Sequence, residues 1–217
     1  MPLYQAVLFD VDGTLIHSSP GILETMKFTF QTMGKDITGC DLTRYLGPPL
    51  RTSFSEHFNS EKEIEKAVSI YRERYHTHGQ FGCSLYPNVK KMLTTLKDNG
   101  ILLYTATSKP QEVAIPILKH FEIADLFDYI GGASGDSSLD NKTAVMKHVL
   151  SRAELQNKKI LMVGDRKEDL IGAANCKVDA VGVLYGYGSK EELQEFNPIF
   201  YAKDCLSLSE WILNSNK

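Results

Sequence analysis

Two aspartates one residue apart, Asp10 and Asp12, stand directly after the apolar run Val7-Leu8-Phe9 and just before Gly13-Thr14. The run reads as a buried strand, and Gly13 as the bend that follows it. A parallel strand that ends in two carboxylates puts them at its carboxyl edge, where open α/β sheets bind ligands. Carboxylates that close repel each other unless a cation sits between them or one holds a proton. An all-oxygen cluster suits Mg²⁺. This spacing therefore points to a metal-assisted carboxylate nucleophile. Asp10-Val11-Asp12-Gly13 also suits a capped turn between strand and helix.

Three further segments carry polar groups at the ends of predicted strands. In Tyr104-Thr105-Ala106-Thr107-Ser108-Lys109-Pro110, a buried strand is expected to open into a helix. The Thr107 hydroxyl, Ser108 and the next amides would then form a phosphate cradle at a helix N-terminus. A plain N-cap before Pro110 would use the same amides. Lys142, in Ser138-Leu139-Asp140-Asn141-Lys142-Thr143, follows a turn and precedes a helix. A solvated surface lysine is the other reading there. In Met162-Val163-Gly164-Asp165 a strand ends in an acid, and Asp169 falls four residues on. With a helix beginning near Arg166, Asp169 lies in its first turn and looks back at the strand end. Acids in a first turn also suit the helix dipole.

In order and type these four segments resemble the motifs of the haloacid dehalogenase superfamily, most of whose members are phosphatases. The resemblance spans residues 5–186. It implies that Asp10 is a nucleophile forming an aspartyl-phosphate, and that Asp12 is the general acid and base. It implies Mg²⁺ ligation by Asp10, by the Asp12 backbone carbonyl and by Asp165. Asp169 would hold a metal water or Lys142. Thr107, Ser108 and Lys142 would take the phosphoryl charge. The chain lacks the Lys-Pro-x-Pro run that many relatives have at the lysine motif. Asp12 sets it apart from the metal-independent dehalogenases and the ion-pump ATPases. A sugar phosphomutase or a catalytically idle phosphate-binding module would carry the same residues.

The elements that must position these groups follow from size and pattern. The chain has 217 residues, is 42% hydrophobic and carries a net charge of −3. That suits one α/β domain with a small insert and gives no basic field for nucleic acid. The four cysteines, Cys40, Cys83, Cys176 and Cys205, form no CxxC pair and read as reduced thiols. Met1-Pro2-Leu3-Tyr4 has no signal-peptide pattern, and no window approaches the about 20 apolar residues of a membrane span. The expected setting is cytoplasmic. The expected partner is a small-molecule phosphomonoester, with no nucleic acid and no membrane, on a monomer or homodimer.

Strands are predicted at 5–9, 101–106, 129–130, 160–163, 180–184 and 199–201. Helices are predicted at 89–99, 110–120, 142–153, 170–175, 190–195 and 206–213, with Pro116 kinking or ending the second. This alternation predicts an α/β fold: a Rossmann-like, doubly wound parallel sheet. Between 17 and 85 no strong strand appears. Helices are predicted at 21–33, 50–58 and 61–75, so 17–85 reads as an α-helical insert and 1–16 with 86–217 as the core. The resemblance makes the insert a cap with hinges at 17–20 and 84–87. Its Gly47-Pro48-Pro49-Leu50-Arg51 turn resembles that of phosphoglycolate-phosphatase-like proteins. Arg51 would read an anionic substrate group there, or be a surface arginine. His76 and His78 do not share a helix face and are expected in solvent, while Tyr71 and Tyr75 are expected to pack. Tyr185-Gly186-Tyr187-Gly188-Ser189 reads as a flexible loop near the carboxyl edge of the sheet. It looks like bacterial members of phosphoglycolate-phosphatase-like or 5′-nucleotidase-like type.

Overall fold

The computed structural model describes residues 3–48, 50–134, 139 and 141–215. Pro49 of the proline turn, and Ser138 and Asp140 ahead of Lys142, lie outside the described residues. In chain order the first elements are β1 (Ala6–Phe9), β2 (Ile16–His17), α1 (Ser19–Thr32), α2 (Leu50–Ser55), α3 (Glu61–Arg74) and β3 (Ser84–Leu85). Next come α4 (Val89–Asp98), β4 (Leu102–Pro110), α5 (Gln111–His120), β5 (Tyr129–Ala133) and α6 (Lys142–Leu150). The last are β6 (Ile160–Gly164), α7 (Lys167–Cys176), β7 (Asp179–Val183), α8 (Lys190–Gln194), β8 (Phe200–Ala202) and α9 (Cys205–Asn214). The chain divides into two compact units, Met1–Ile16 with Leu85–Lys217, and His17–Ser84.

In the first unit six strands form one sheet in the order β5-β4-β1-β6-β7-β8, every pairing parallel. Taken by their rank in the chain, this is the Rossmann order, which reverses direction at β1. All four residues of β1 are fully buried, as a central parallel strand covered by helices on both faces requires. Ala6 and Leu8 join Tyr104, Ala106, Met162 and the α6 residues Val145, Met146 and Val149 in one apolar cluster. Val7 and Phe9 point the other way by strand alternation.

Several boundaries differ from the sequence expectation. β4 runs on through Thr107, Ser108 and Lys109 to Pro110, its pairing with β5 shifting register after Thr107 and resuming at Pro110↔Ala133. Thr107 and Ser108 are therefore strand residues. The helix starts at Gln111, one residue from the expected 110, but pairing with β5 keeps Thr107 and Ser108 extended, so they do not form its N-terminus. Pro116 sits inside α5 without ending it at that point; Ala114, Ile117 and Leu118 bury on one face and hold the helix. α7 starts at Lys167, earlier than its apolar pattern, because the Asp169 carboxylate accepts the Arg166 N–H at 3.0 Å and closes the first turn. α6 stops at Leu150, and a 3₁₀ turn over Ala153–Leu155 follows.

The second unit is helical. α3 is capped by the Ser60 hydroxyl, which accepts the Glu63 N–H, and continues as a π-helical turn over Tyr75–Gly79. Phe30 of α1 is fully buried at its centre, with Phe54, Phe58, Tyr45 and His57 at ring-centroid distances of 4.7–6.3 Å. Tyr71 and Tyr75 stack at 5.7 Å, and His76 and His78 are exposed, as expected. No helix among the described residues is long and apolar enough to cross a membrane. All four cysteines are free thiols. Because Phe30 touches four rings, Phe30→Ala is expected to cost about 3–5 kcal/mol. Urea denaturation followed by far-UV circular dichroism measures this loss; a change below about 1 kcal/mol would show that the cluster does not hold the unit.

Candidate active site

The Rossmann order puts the carboxyl ends of β1 and β6 side by side, where the sheet reverses. Phe9 pairs with Val163, and the Asp10 N–H donates to the Val163 carbonyl at 2.9 Å. Asp10 follows β1 directly and Asp165 follows β6 directly, so two acids 155 positions apart meet at one edge. One carboxylate oxygen from each of Asp10, Asp165 and Asp169 lies within 4.8 Å of the others. All three residues are buried.

Lys142, the first residue of α6, reaches into this group. Its Nζ is 2.7 Å from Asp10 Oδ1, 2.7 Å from Asp169 Oδ1 and 2.8 Å from the Ala106 carbonyl. The Asn141 side chain caps the helix by accepting the Ala144 N–H, which fixes where the lysine starts. Gly172 of α7 makes room for it: a Cβ there would stand 2.8 Å from Lys142 Cγ and 3.0 Å from Met146 Sδ. Burial alone would push the Lys142 pKa down, but the Asp10 and Asp169 charges outweigh it and the net shift is upward. The charged ammonium is therefore the favoured form.

Burial pushes the Asp165 pKa well up, and the Asp169 and Asp10 charges add to it, while the Tyr187 N–H pulls the other way. Asp169 is also raised by burial, against the pull of Lys142. Its Oδ1 faces Lys142 and its Oδ2 accepts the Asp165 and Arg166 N–H groups at 3.1 and 3.0 Å. Asp169 is thus engaged on both oxygens, which suits a supporting partner more than a direct metal ligand. The donor set fits a hard divalent cation, because the chemistry is all oxygen, and a cation would offset both the burial and the neighbouring negative charge that raise these pKa values. Gly13, at φ +83°, lies against Asp165, and a Cβ there would collide with the carboxylate; only glycine meets both demands.

Asp12 stands outside that carboxylate group. Its Oδ2 is 3.2 Å from the ammonium of Lys109, whose side chain is 5% exposed. Its Oδ1 is buried without a hydrogen-bond partner among the described residues. An acceptor held open beside a cation suits a group that exchanges a proton with a bound molecule. Thr107 is buried, its hydroxyl accepting the Lys109 N–H at 3.2 Å, and Ser108 is exposed. Sequence reading assigned no role to Lys109 or Thr14, although strand alternation alone places Thr105, Thr107 and Lys109 on one face. Thr14 donates to Asp165 Oδ1 at 3.2 Å. Arg51, in the second unit, pairs through Nη1 with both Glu61 and Glu65. These pairs are solvent-exposed, which agrees with the reading of Arg51 as a surface arginine.

Removing the cation from between buried carboxylates leaves them uncompensated. Lys142→Met is expected to destabilise the chain by about 3 kcal/mol or more at pH 8 in the absence of divalent ions. Urea midpoints give the measurement, and a loss under about 1 kcal/mol would mean the ammonium contributes little.

Residues 7–183 match the haloacid dehalogenase-like hydrolase family. Over 211 residues the chain is 35% identical to a 5′-nucleotidase of Pseudomonas aeruginosa, covering 95% of each protein. It is 36% identical over 185 residues to the tyrosine-protein kinase PtkA of Mycobacterium tuberculosis, covering 85% of this chain and 63% of that one. Among solved structures, a haloacid dehalogenase-like family hydrolase from Streptococcus pneumoniae is similar with a TM-score of 0.88 at 30% identity, covering 96% of this chain and 98% of that chain. The chain belongs to the haloacid dehalogenase-like hydrolases and is a phosphoric monoester hydrolase of that family.

Proposed function

We propose that the chain is a Mg²⁺-dependent phosphatase of small phosphomonoesters that works through an aspartyl-phosphate on Asp10. The observation that carries this reading is Asp10 beside Asp165 at the carboxyl edge of adjacent strands, with Lys142 bound to Asp10. The Asp10 carboxylate attacks phosphorus while Asp12 gives a proton to the departing oxygen. Asp12, ionised by that transfer and stabilised in that form by Lys109, takes a proton from the water that then attacks phosphorus. Inorganic phosphate leaves and Asp10 is regenerated. Lys142 offsets charge on the nucleophile and the phosphoryl oxygens, and Thr107 and Ser108 bind those oxygens. Asp10, the Asp12 carbonyl and Asp165 would hold Mg²⁺, which neutralises phosphoryl charge that would otherwise repel the nucleophile. Asp169 holds Lys142 in place. The resemblance assigns the unit His17–Ser84 the part of a cap. Nucleoside 5′-monophosphates and phosphoglycolate are the proposed substrate classes, and the likeness to a 5′-nucleotidase favours the first.

Phosphate release from a panel of nucleotides, phosphoglycolate, sugar phosphates and pyrophosphate tests this, with Mg²⁺ and with chelator. Chelator-sensitive release is expected. Asp10→Asn is expected to lower turnover by at least about a thousandfold with the fold intact. Residual activity within tenfold of wild type would sink the nucleophile assignment. No release from any panel member would overturn the phosphatase in favour of a phosphomutase or a binding module.

The raised carboxyl pKa values give a second test. A carboxyl whose pKa is higher folded than unfolded binds more protons when folded, so its contribution to stability falls as pH rises through the folded value. For Asp165 and Asp169 that penalty is absent below the unfolded value of about 4 and complete once pH exceeds the folded values. Mg²⁺ binds the ionised form. The increase in Tm produced by saturating Mg²⁺ is therefore expected to be larger at pH 8 than at pH 5. An equal increase at both would show that Asp165 does not bind the ion.

A further inference from the structure

The run Tyr185-Gly186-Tyr187-Gly188 takes no part in the chemistry above, yet it closes on Asp165. The Tyr187 N–H donates to Asp165 Oδ2 at 2.7 Å. The Thr14 hydroxyl donates to Asp165 Oδ1 at 3.2 Å. Each carboxylate oxygen therefore has one donor that orients it. Gly186 and Gly188 lie against the same residue: a Cβ on the first would collide with the Asp165 side chain, and on the second with its carbonyl oxygen. Thr14 is held in turn. The Tyr185 hydroxyl donates to the Thr14 carbonyl at 3.1 Å. The thiol of Cys205, the first residue of α9, donates to the Tyr185 oxygen at 3.4 Å. The Tyr185 ring is seated against Tyr86 at 5.0 Å between centroids.

A carboxylate at a strand end can turn about two side-chain bonds, and a ligand must present a lone pair in one direction. Outer partners that fix this direction typically govern metal affinity by 10–100-fold. We propose that Tyr185 is a positioning residue: its hydroxyl, seated by Cys205, holds the Thr14 segment so that Thr14 and the Tyr187 amide aim Asp165 at a divalent cation. This rests on the reading of Asp165 as a metal ligand. The argument for Tyr185 is one of reach, because it touches Thr14 and acts on Asp165 only through it. Its loss is therefore expected to weaken binding less than the loss of the Thr14 hydroxyl.

Mg²⁺ titrated into the full-length chain by calorimetry tests this. Tyr185→Phe keeps the ring against Tyr86 and removes only the hydroxyl. Its Kd for Mg²⁺ is expected to rise about threefold to tenfold. The turnover it loses at low Mg²⁺ is expected to return as Mg²⁺ is raised, which a purely structural lesion would not do. Thr14→Val is expected to raise the Kd about tenfold or more, and Thr14→Ser, which keeps the hydroxyl, to restore it. That pair decides the question should Tyr185→Phe not fold. A Kd for folded Tyr185→Phe within twofold of wild type overturns the role of Tyr185. Equal Kd values for Thr14→Val and Thr14→Ser overturn the Thr14 link and with it the relay. No binding of Mg²⁺ to the wild-type chain overturns the metal reading itself, and the inference with it.

Discussion

Three carboxylates buried at one end of a sheet repel one another, and the Lys142 ammonium is what lets them stay there. It donates to Asp10 and to the Ala106 carbonyl and forms an ion pair with Asp169. The cost of burying a charged lysine is met only because it has three acceptors at hydrogen-bond distance. The neighbouring elements answer to this requirement. Asn141 fixes the start of α6, Gly172 opens a path for the lysine stem, and Asp169 turns its second oxygen to the backbone of its own helix. Asp165 makes no ion pair with the lysine, and burial keeps its pKa raised, so an added cation would favour its ionised form.

The strand order explains why these groups meet at all. β1 lies between β4 and β6, and the crossovers leave in opposite directions on its two sides. Residues that end β1 and β6 therefore become neighbours while those strands stay far apart in sequence. The same edge receives Thr107 and Lys109 from β4, whose extended run past Ala106 brings Lys109 onto Asp12. The loop after β7 adds an amide to Asp165. Asp10 and Asp12 come from one segment, Lys142 from a second and Asp169 from a third. Hence a change at one of them acts through charge and orientation on the others.

Much of this was legible in the chain. β1 read as a strand because Val7, Leu8 and Phe9 form a short apolar run without alternation, closed by the Asp10–Gly13 turn residues, as a strand buried on both faces does. Asp10, Lys142, Asp165 and Asp169 were marked by their place after a strand or at the start of a helix, and the structure brings these four together. The end of β4 was misread because Thr, Ser and Pro are also cap residues, and local preference cannot sense the β5 edge that keeps Thr107 and Ser108 extended. Arg51 stood with two readings, and its exposed ion pairs fit the surface arginine. Glu61 and Glu65 lie on another helix, and their pairing with it is invisible to motif spacing. Lys109 and Tyr185 carried no role because each acts on a residue distant in sequence, Asp12 and Thr14.

By itself the sequence determined the alternation of strands and helices, the helical insert and the identity of the acids. These depend on apolar periodicity, on turn residues and on side-chain chemistry, which are local properties. Only the tertiary structure decided which acid faces which cation, that Asp169 serves Lys142 and the α7 backbone, and that the Tyr185–Gly188 run closes on Asp165. Those outcomes depend on strand order and on helix approach within a few ångströms. Coulomb and hydrogen-bond energies vary steeply over that range, and spacing along the chain carries no record of it.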